Sequence, residues 1–380
     1  MLLPLARVSR VPRVLPIIVV LLLVLVGCTG ERPVLSSETV PAEPQPEPGQ
    51  TANDGERAFE LPDDSGTTVR PSPPVTLAGR SPQPTAPPNT FPSDVVPFSE
   101  TDIAPLVDDG EARALRTPTG VIADVISEVD DGYLILTPCA NEVVVPDGEV
   151  IGAAHVVLDA GHGGSEPGAI GPQGSWESQI NLAVAERVEA LLTEAGVSVV
   201  QTRTKDYRIS ILSRTAIANS VQPLAFVSIH HNAAPDGPIG KPGAETYYQV
   251  LDPESKRLAG LIYEEAFEEF SKIDIAWLGD TDAGVKVRLG ESGDDYYGVL
   301  RRSAGVPSVL TELLYLSNPP EEALLITPAF QQTEAEVITR AILRFLSTDD
   351  PGSGFVEGYP RVAPAGGGGG TNNCIDPPLN

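Results

Sequence analysis

The chain has 380 residues, of which 38 are proline and 36 are glycine, and these totals are high for a protein that is folded throughout. Part of the chain is therefore expected to be linker. The 52 acidic residues outnumber the 25 basic ones and give a formal net charge of −27, which disfavours binding to nucleic acid or to an anionic membrane surface.

The first segment, residues 1–28, is typical of a bacterial lipoprotein signal peptide. Three arginines precede an apolar run from Ile17 to Val26 that is too short to span a bilayer as a stable helix. The run leads into Leu-Val-Gly-Cys28, which resembles the lipobox, where the cysteine becomes lipidated. We therefore expect Cys28 to anchor the protein to the outer face of the cytoplasmic membrane. An ordinary secretory signal, and hence a secreted protein, is the alternative.

Residues 29–110 are rich in proline and acidic residues and cannot bury enough apolar surface to fold, so they are predicted to form a disordered, semi-stiff tether. Residues 111–152 contain short β-like runs separated by turn signals. They predict a small β-rich unit, either a module faintly similar to bacterial SH3-like wall-binding domains or an extension packed on the next domain.

Residues 153–348 alternate strand and helix patterns, which predicts an α/β domain with a largely parallel sheet and helices on both faces. Helices are expected over Gln179–Glu194, Ile209–Val221, Glu254–Ser271 and Pro328–Leu346. The remaining residues, 349–380, include a glycine run and are predicted to be a flexible tail, apart from whatever Cys374 ties down. With Cys28 assigned to lipid, Cys139 and Cys374 remain in an oxidising compartment, where a disulfide is the default expectation.

Two histidines lie at the carboxyl ends of predicted strands. His162 follows the first strand of the domain in a glycine-rich loop, and His230 ends the apolar strand LAFVSI. Because such ends meet at one edge of a parallel sheet, the pair indicates a metal site. Glu177, expected just ahead of the first long helix, is the third candidate ligand. Two histidines and one glutamate around zinc leave a position for water, as in hydrolytic zinc sites.

Glu312, near the end of the strand VPSVLTE, is the candidate catalytic carboxylate. Zinc lowers the pKa of its bound water to about 7, so that this water can serve as the nucleophile. Glu312 is then placed to take the proton as general base and to deliver it to the leaving amine as general acid. A serine or cysteine nucleophile is less well supported, because no serine lies in a nucleophile-elbow pattern and the thiols lie outside the α/β domain.

The motifs LDAGHGGSEPGAIG, FVSIHHNA, GAETYY and VPSVLTELLYLSN resemble, in content and order, those of the zinc-dependent N-acetylmuramoyl-L-alanine amidases. The resemblance implies that His162, Glu177 and His230 bind zinc and that Glu312 is catalytic. It also implies hydrolysis of the amide between N-acetylmuramic acid and L-alanine in peptidoglycan. A zinc peptidase cutting within the stem peptide and a non-catalytic wall-binding or regulatory protein are the alternatives. The sequence names no protein activator.

Other positions of the resemblance predict supporting roles. His231 falls on a variable position of its motif and is expected to contact substrate or to be incidental. Four polar residues are expected to brace the fold: Arg203, Asp206, Arg214 and Asn219. The polar stretch from Leu289 to Tyr297 departs from the family pattern and is expected to lengthen a loop over the cleft. No helix is expected to act as a built-in lid.

Overall fold

The computed structural model describes residues 103, 105–106, 108–233, 243–274, 283–303, 305–356, 361–362 and 369–380. The predicted signal peptide with its lipobox (1–28) and nearly all of the predicted linker (29–110) lie outside the described residues. Within the part that is described, no helix is long and apolar enough to cross a membrane.

The β-rich unit is a five-stranded antiparallel sheet in the order β4-β3-β2-β1-β5. Its strands are Ala114–Arg116 (β1), Ile122–Val129 (β2), Gly132–Leu136 (β3), Glu142–Val145 (β4) and Glu149–Ile151 (β5). A two-residue Asp-Asp loop joins β2 to β3, because Val129 pairs directly with Gly132. The predicted β-rich segment is therefore confirmed.

The second sheet has six strands in the order β10-β9-β12-β8-β6-β7. Its members are Val156–Ala160 (β6), Val199–Gln201 (β7), Ala225–Asn232 (β8), Glu245–Tyr248 (β9), Gly284–Lys286 (β10) and Ser308–Tyr315 (β12), while Arg288–Leu289 (β11) and Arg361–Val362 (β13) form a separate parallel pair. All neighbours in the large sheet are parallel except β9 and β12. The predicted α/β fold with a largely parallel sheet is confirmed.

The described part of the chain has six helices beside this sheet: Glu177–Glu194 (α1), Ile211–Val221 (α2), Pro253–Phe270 (α3), Gly298–Arg302 (α4), Pro319–Leu325 (α5) and Pro328–Ser347 (α6). Side chains of Ser210, Asp252 and Thr327 accept hydrogen bonds from backbone N–H groups in the first turns of α2, α3 and α6. Such caps satisfy donors that the helix itself leaves unpaired. The four predicted helices lie within two residues of the observed bounds because caps and proline starts are local signals.

The helices cover both faces of the large sheet. Buried apolar residues of α1, α3 and α6 form one cluster with the sheet. On the opposite face, α2 and α4 share a second cluster with Ala114, Val121 and Ile122 of the β-rich unit. The β-rich unit is thus an extension packed on the α/β domain, the second of the two forms that the sequence left open.

The tail is held to the domain in its described parts, so the prediction of a flexible tail over 349–380 does not hold there. Cys374 forms a disulfide with Cys139 of the β-rich unit. The Asp376 carboxylate accepts hydrogen bonds from the Thr137 hydroxyl at 2.8 Å, the Cys139 backbone N–H at 2.8 Å and the Asn141 amide at 2.7 Å. Residues 369–380 therefore have defined partners, which composition alone does not reveal.

Candidate metal centre and cleft

The predicted site residues converge at the carboxyl edge of the large sheet. His162 follows β6, while His230 and Glu312 are direct register partners on the adjacent parallel strands β8 and β12. Parallel strands end at the same edge, and this geometry brings together residues that are far apart in sequence. The structure therefore has these three residues at the sheet edge where the sequence predicted them.

His162 has an unusual backbone conformation, with φ at 60°. Residues with a side chain rarely adopt this left-handed region, so the surrounding structure must hold it. Arg214 does so by donating from Nη2 to the His162 carbonyl at 2.7 Å. Gly161 is required as well, because a Cβ there would lie 2.2 Å from Cε1 of His230. The two imidazoles consequently approach edge to face, with ring centroids 4.8 Å apart.

Glu177 is the first residue of α1, because this helix begins two residues earlier than the sequence predicted. The positive end of the helix dipole favours a carboxylate there. Its side chain accepts hydrogen bonds from the backbone N–H groups of Ala169 at 2.8 Å and His231 at 3.2 Å. Burial raises the pKa of Glu177, but the two neighbouring histidines, His162 and His230, outweigh burial and hold this pKa well below its usual range.

The three candidate ligands form one cluster. Glu177 Oε2 lies 3.2 Å from His162 Nε2, and Glu177 Oε1 lies 2.9 Å from His230 Nδ1. One ligand atom from each residue lies within 4.8 Å of the others. Gly168 leaves room beside them, because a Cβ there would lie 2.4 Å from Glu177 Oε2. Two imidazoles and one carboxylate in this arrangement are a donor set that fits zinc with a coordination position to spare.

The pKa values of the two histidines shift in opposite directions. Burial lowers the pKa of His162, but the carboxylates of Glu166 and Glu177 raise it to about 9. Burial dominates at His230 and lowers its pKa despite Glu177. The carboxylates thus favour a proton on His162, whereas burial favours the neutral form of His230. A metal cation would compete with that proton for the same lone pairs.

Glu312 is half-buried beside this cluster, and its Oε2 atom, which is itself buried, has no hydrogen-bond partner among the described residues. Burial, followed by repulsion from the carboxylates of Glu177 and Glu245, raises the pKa of Glu312 well above its usual range. Glu245 differs, because Tyr247, Asn232 and Lys286 all donate to its oxygens. Of the carboxyl groups of Glu245 and Glu312, that of Glu312 is therefore the candidate for proton transfer.

His231 is not a substrate contact, which corrects one of the two roles expected from the sequence. Its side chain is fully buried, with Nδ1 2.7 Å from Asn181 Oδ1 and Nε2 3.1 Å from both oxygens of Glu334. Successive side chains of a strand point to opposite faces, so His230 and His231 cannot share an environment. That alternation was visible in the sequence. His231 instead ties β8 to α1 and α6.

The four polar residues expected to brace the fold do so. Arg203 donates to the carbonyls of Ala160, Gly161, Ser178 and Lys205. Arg214 pairs with buried Asp159 at 2.6 Å. Asp206 accepts from the Gly164 backbone N–H at 2.7 Å, and Asn219 donates to the Arg302 carbonyl at 2.9 Å. Together the two arginines satisfy the carbonyls around the His162 loop.

Sequence reasoning missed several residues of the site. Glu166 lies with Oε1 3.6 Å from Nδ1 of His162, on the side of the ring opposite Glu177. Arg288, Tyr296 and Tyr297 line the same cavity as Glu312. The two tyrosines belong to the polar stretch Leu289 to Tyr297, which was expected to lengthen a loop over the cleft. That expectation was the sequence signal for their position near the site. No comparable signal marked Glu166 or Arg288.

The cleft has two parts that meet at His162. A cavity of about 510 Å³ is lined by His230 and Glu312, and also by Arg288 and Tyr297. An open groove of about 650 Å³ runs past Arg208 and the tail residues Gly370 and Asn372. His162, Glu166 and Gly369 border both. A substrate that reaches the cluster can therefore extend in two directions from it.

Comparison with known proteins yields one family and several relatives. The family model described as N-acetylmuramoyl-L-alanine amidase matches residues 156–344. The uncharacterized protein YqiI of Bacillus subtilis is 35% identical over 211 residues, which cover 55% of this chain and 90% of YqiI. The N-acetylmuramoyl-L-alanine amidase LytC of the same organism is 32% identical over 206 residues, or 54% of this chain and 37% of LytC.

Among solved structures, the N-acetylmuramoyl-L-alanine amidase AmiC2 of Nostoc punctiforme is 31% identical, with 50% of this chain and 96% of that chain covered and a TM-score of 0.42. The residues that the family model matches, 156–344, lie within the α/β domain that contains the cluster and the cleft.

Proposed function

Because this chain belongs to the N-acetylmuramoyl-L-alanine amidase family, we propose that His162, Glu177 and His230 hold a catalytic zinc ion and that Glu312 is the general base and acid. The family makes the protein a peptidoglycan amidase. The observation that carries the finer proposal is the position of Glu312. It is register-paired with His230, lines the cavity that both histidines border, and has a carboxylate oxygen with no hydrogen-bond partner among the described residues.

When bound, zinc supplies a Lewis acid that polarises the carbonyl under attack and makes water a stronger nucleophile near neutral pH. The chain's own residues do the rest. His162 is held in place by Arg214 and Glu177 by backbone N–H groups, so the ligands need no reorganisation. Glu312 takes the proton of the attacking water and delivers it to the nitrogen of the L-alanine as the carbon–nitrogen bond breaks.

Product analysis tests this proposal. Purified peptidoglycan is digested with the chelated protein, with the zinc-restored protein and with Glu312→Gln as inactive control, and the products are identified by mass spectrometry. We expect zinc-dependent release of intact stem peptides with N-terminal alanine. Fragments cut within the stem would favour a zinc peptidase. Binding without any zinc-dependent release would favour a non-catalytic wall-binding protein.

We also propose that the protein is lipid-anchored through Cys28 to the outer face of the cytoplasmic membrane, with residues 29–110 as tether. Cys28→Ser should move most of the protein out of the membrane fraction, because the remaining apolar run of about ten residues cannot span a bilayer. Fractionation with immunoblotting measures this, and Thr29→Ser serves as the neighbouring control that keeps the lipid. A Cys28→Ser variant that stays membrane-bound would show that the uncleaved N-terminus holds the protein.

A further inference from the structure

The two parts of the cleft differ in whether the carboxyl group of Glu312 lines them. Glu312 lines the cavity and not the groove, whereas His162 borders both. Hydrolysis of the amide separates an acyl carbon on the glycan side from an amine on the peptide side. The amine must take its proton from Glu312, so it has to lie where Glu312 is. This consideration gives the substrate a direction in the cleft.

We propose that the stem peptide occupies the cavity beside Arg288 and Tyr297, and that the glycan strand runs along the groove whose wall is the tail segment 369–372. This inference rests on the proposed function, since it uses Glu312 as the proton donor. The glycan, on the acyl side of the amide, then extends from the cluster in the other direction, along the groove.

The chemistry of the cavity suits a peptide that carries free carboxylates. Arg288 lines it, stacks 3.7 Å above the ring of Tyr296 and donates to the Tyr297 hydroxyl at 3.3 Å. Its Nε is buried and has no hydrogen-bond partner among the described residues. The other arginine of the cavity, Arg214, is already paired with Asp159. Of the two arginines that line the cavity in the described part of the chain, Arg288 is therefore the one that can bind a stem carboxylate.

The wall of the groove depends on the anchored tail. The Gly369 backbone N–H donates to Glu166 Oε1 at 3.2 Å, and Arg208 donates to the carbonyls of Gly370 at 3.0 Å and Asn372 at 2.8 Å. Beyond this segment the disulfide at Cys374 and the hydrogen bonds of Asp376 fix the tail to the β-rich unit. Releasing either anchor should loosen the wall without touching a catalytic group.

The test uses zinc-loaded full-length protein and soluble substrates that differ at one end only. One pair carries the same stem on a single muramyl sugar or on a tetrasaccharide, and a second pair has the stem carboxylates free or amidated. Asp376→Ala removes one anchor of the tail, and the double variant Cys139→Ser, Cys374→Ser removes the other. Arg288→Met removes the guanidinium. The ratio of KM values within each pair is the readout, because a merely structural defect would change both members alike.

Tail-release variants should raise KM for the tetrasaccharide about tenfold, the equivalent of one lost contact of moderate strength, and change KM for the single sugar little. Arg288→Met should raise KM about 10- to 100-fold for the free-carboxylate stem, the scale of a charged hydrogen bond, and little for the amidated stem. Glu265→Gln, which breaks ion pairs with Arg340 and Arg344 between α3 and α6, is the control that lowers thermal stability without altering either ratio.

The reversed pattern, with Arg288 affecting the glycan ratio and the tail affecting the carboxylate ratio, would overturn the inference. Equal shifts in all substrates, or no shifts, would do the same. Asp376→Ala keeps the disulfide and so keeps the test valid should the double variant fold poorly. If the zinc-loaded wild type cleaves none of the substrates, the proposed function fails, and that outcome is distinct from a reversed direction.

Discussion

Glu312→Gln is expected to lower kcat by about 10²- to 10⁴-fold, the usual contribution of a positioned general base and acid. Glutamine keeps the shape of the side chain but can neither accept the proton of the attacking water nor return one to the amine. Because Glu312 is not among the three clustered ligands, zinc content should stay near that of the wild type. Turnover with a soluble muramyl peptide and elemental analysis measure the two quantities.

The same chemical change at a distant place provides the control. Glu264 lies on α3, is partly exposed and pairs with Arg344 at 3.3 Å. Glu264→Gln should leave kcat within about twofold, since exposed ion pairs contribute little to stability. Wild-type turnover by Glu312→Gln at normal zinc content would rule out its role as base.

His230→Ala is expected to abolish turnover by a different route, through loss of the metal. Loss of a group that only supports a ligand already weakens metal binding by about 10- to 100-fold. Removing one of the three proposed ligands should therefore weaken zinc binding by more than about 100-fold. It also leaves the buried Glu177 carboxylate with one imidazole fewer beside it. Metal titration monitored by calorimetry should show the loss of affinity, and activity should not return with added stoichiometric zinc.

His155→Ala is the matched control for this histidine change. The His155 ring accepts from the Ser198 backbone N–H at the start of the sheet, away from the carboxyl edge. It should keep both zinc and turnover. Retention of tight zinc binding by His230→Ala would contradict the proposed ligand set.

Much of the fold followed from signals that lie within short stretches of sequence. The apolar run of β6 ending in a glycine-rich loop located His162, and the capping residues Ser210 and Thr327 marked helix starts. Parallel strand ends share one edge, so His230 and Glu312 could be assigned to that edge without coordinates. Signals of this kind depend only on neighbouring residues, so they can be recognised before the tertiary structure is known.

The antiparallel direction of β9 against β12 was decided only in three dimensions. Its pattern of apolar residues does not report strand direction, because both orientations bury alternate side chains in the same way.

The sequence by itself determined the α/β class, the three candidate ligands and the candidate base, since each depends on its own element and on the common edge. Only the tertiary structure decided what surrounds them: Arg288 beside Glu312 in the cavity, Glu166 against His162, and the tail along the groove. The hydrogen bond between Gly369 and Glu166 joins positions 203 residues apart. Contacts of that separation depend on how packed elements and a disulfide fold the chain back, and no local pattern encodes them.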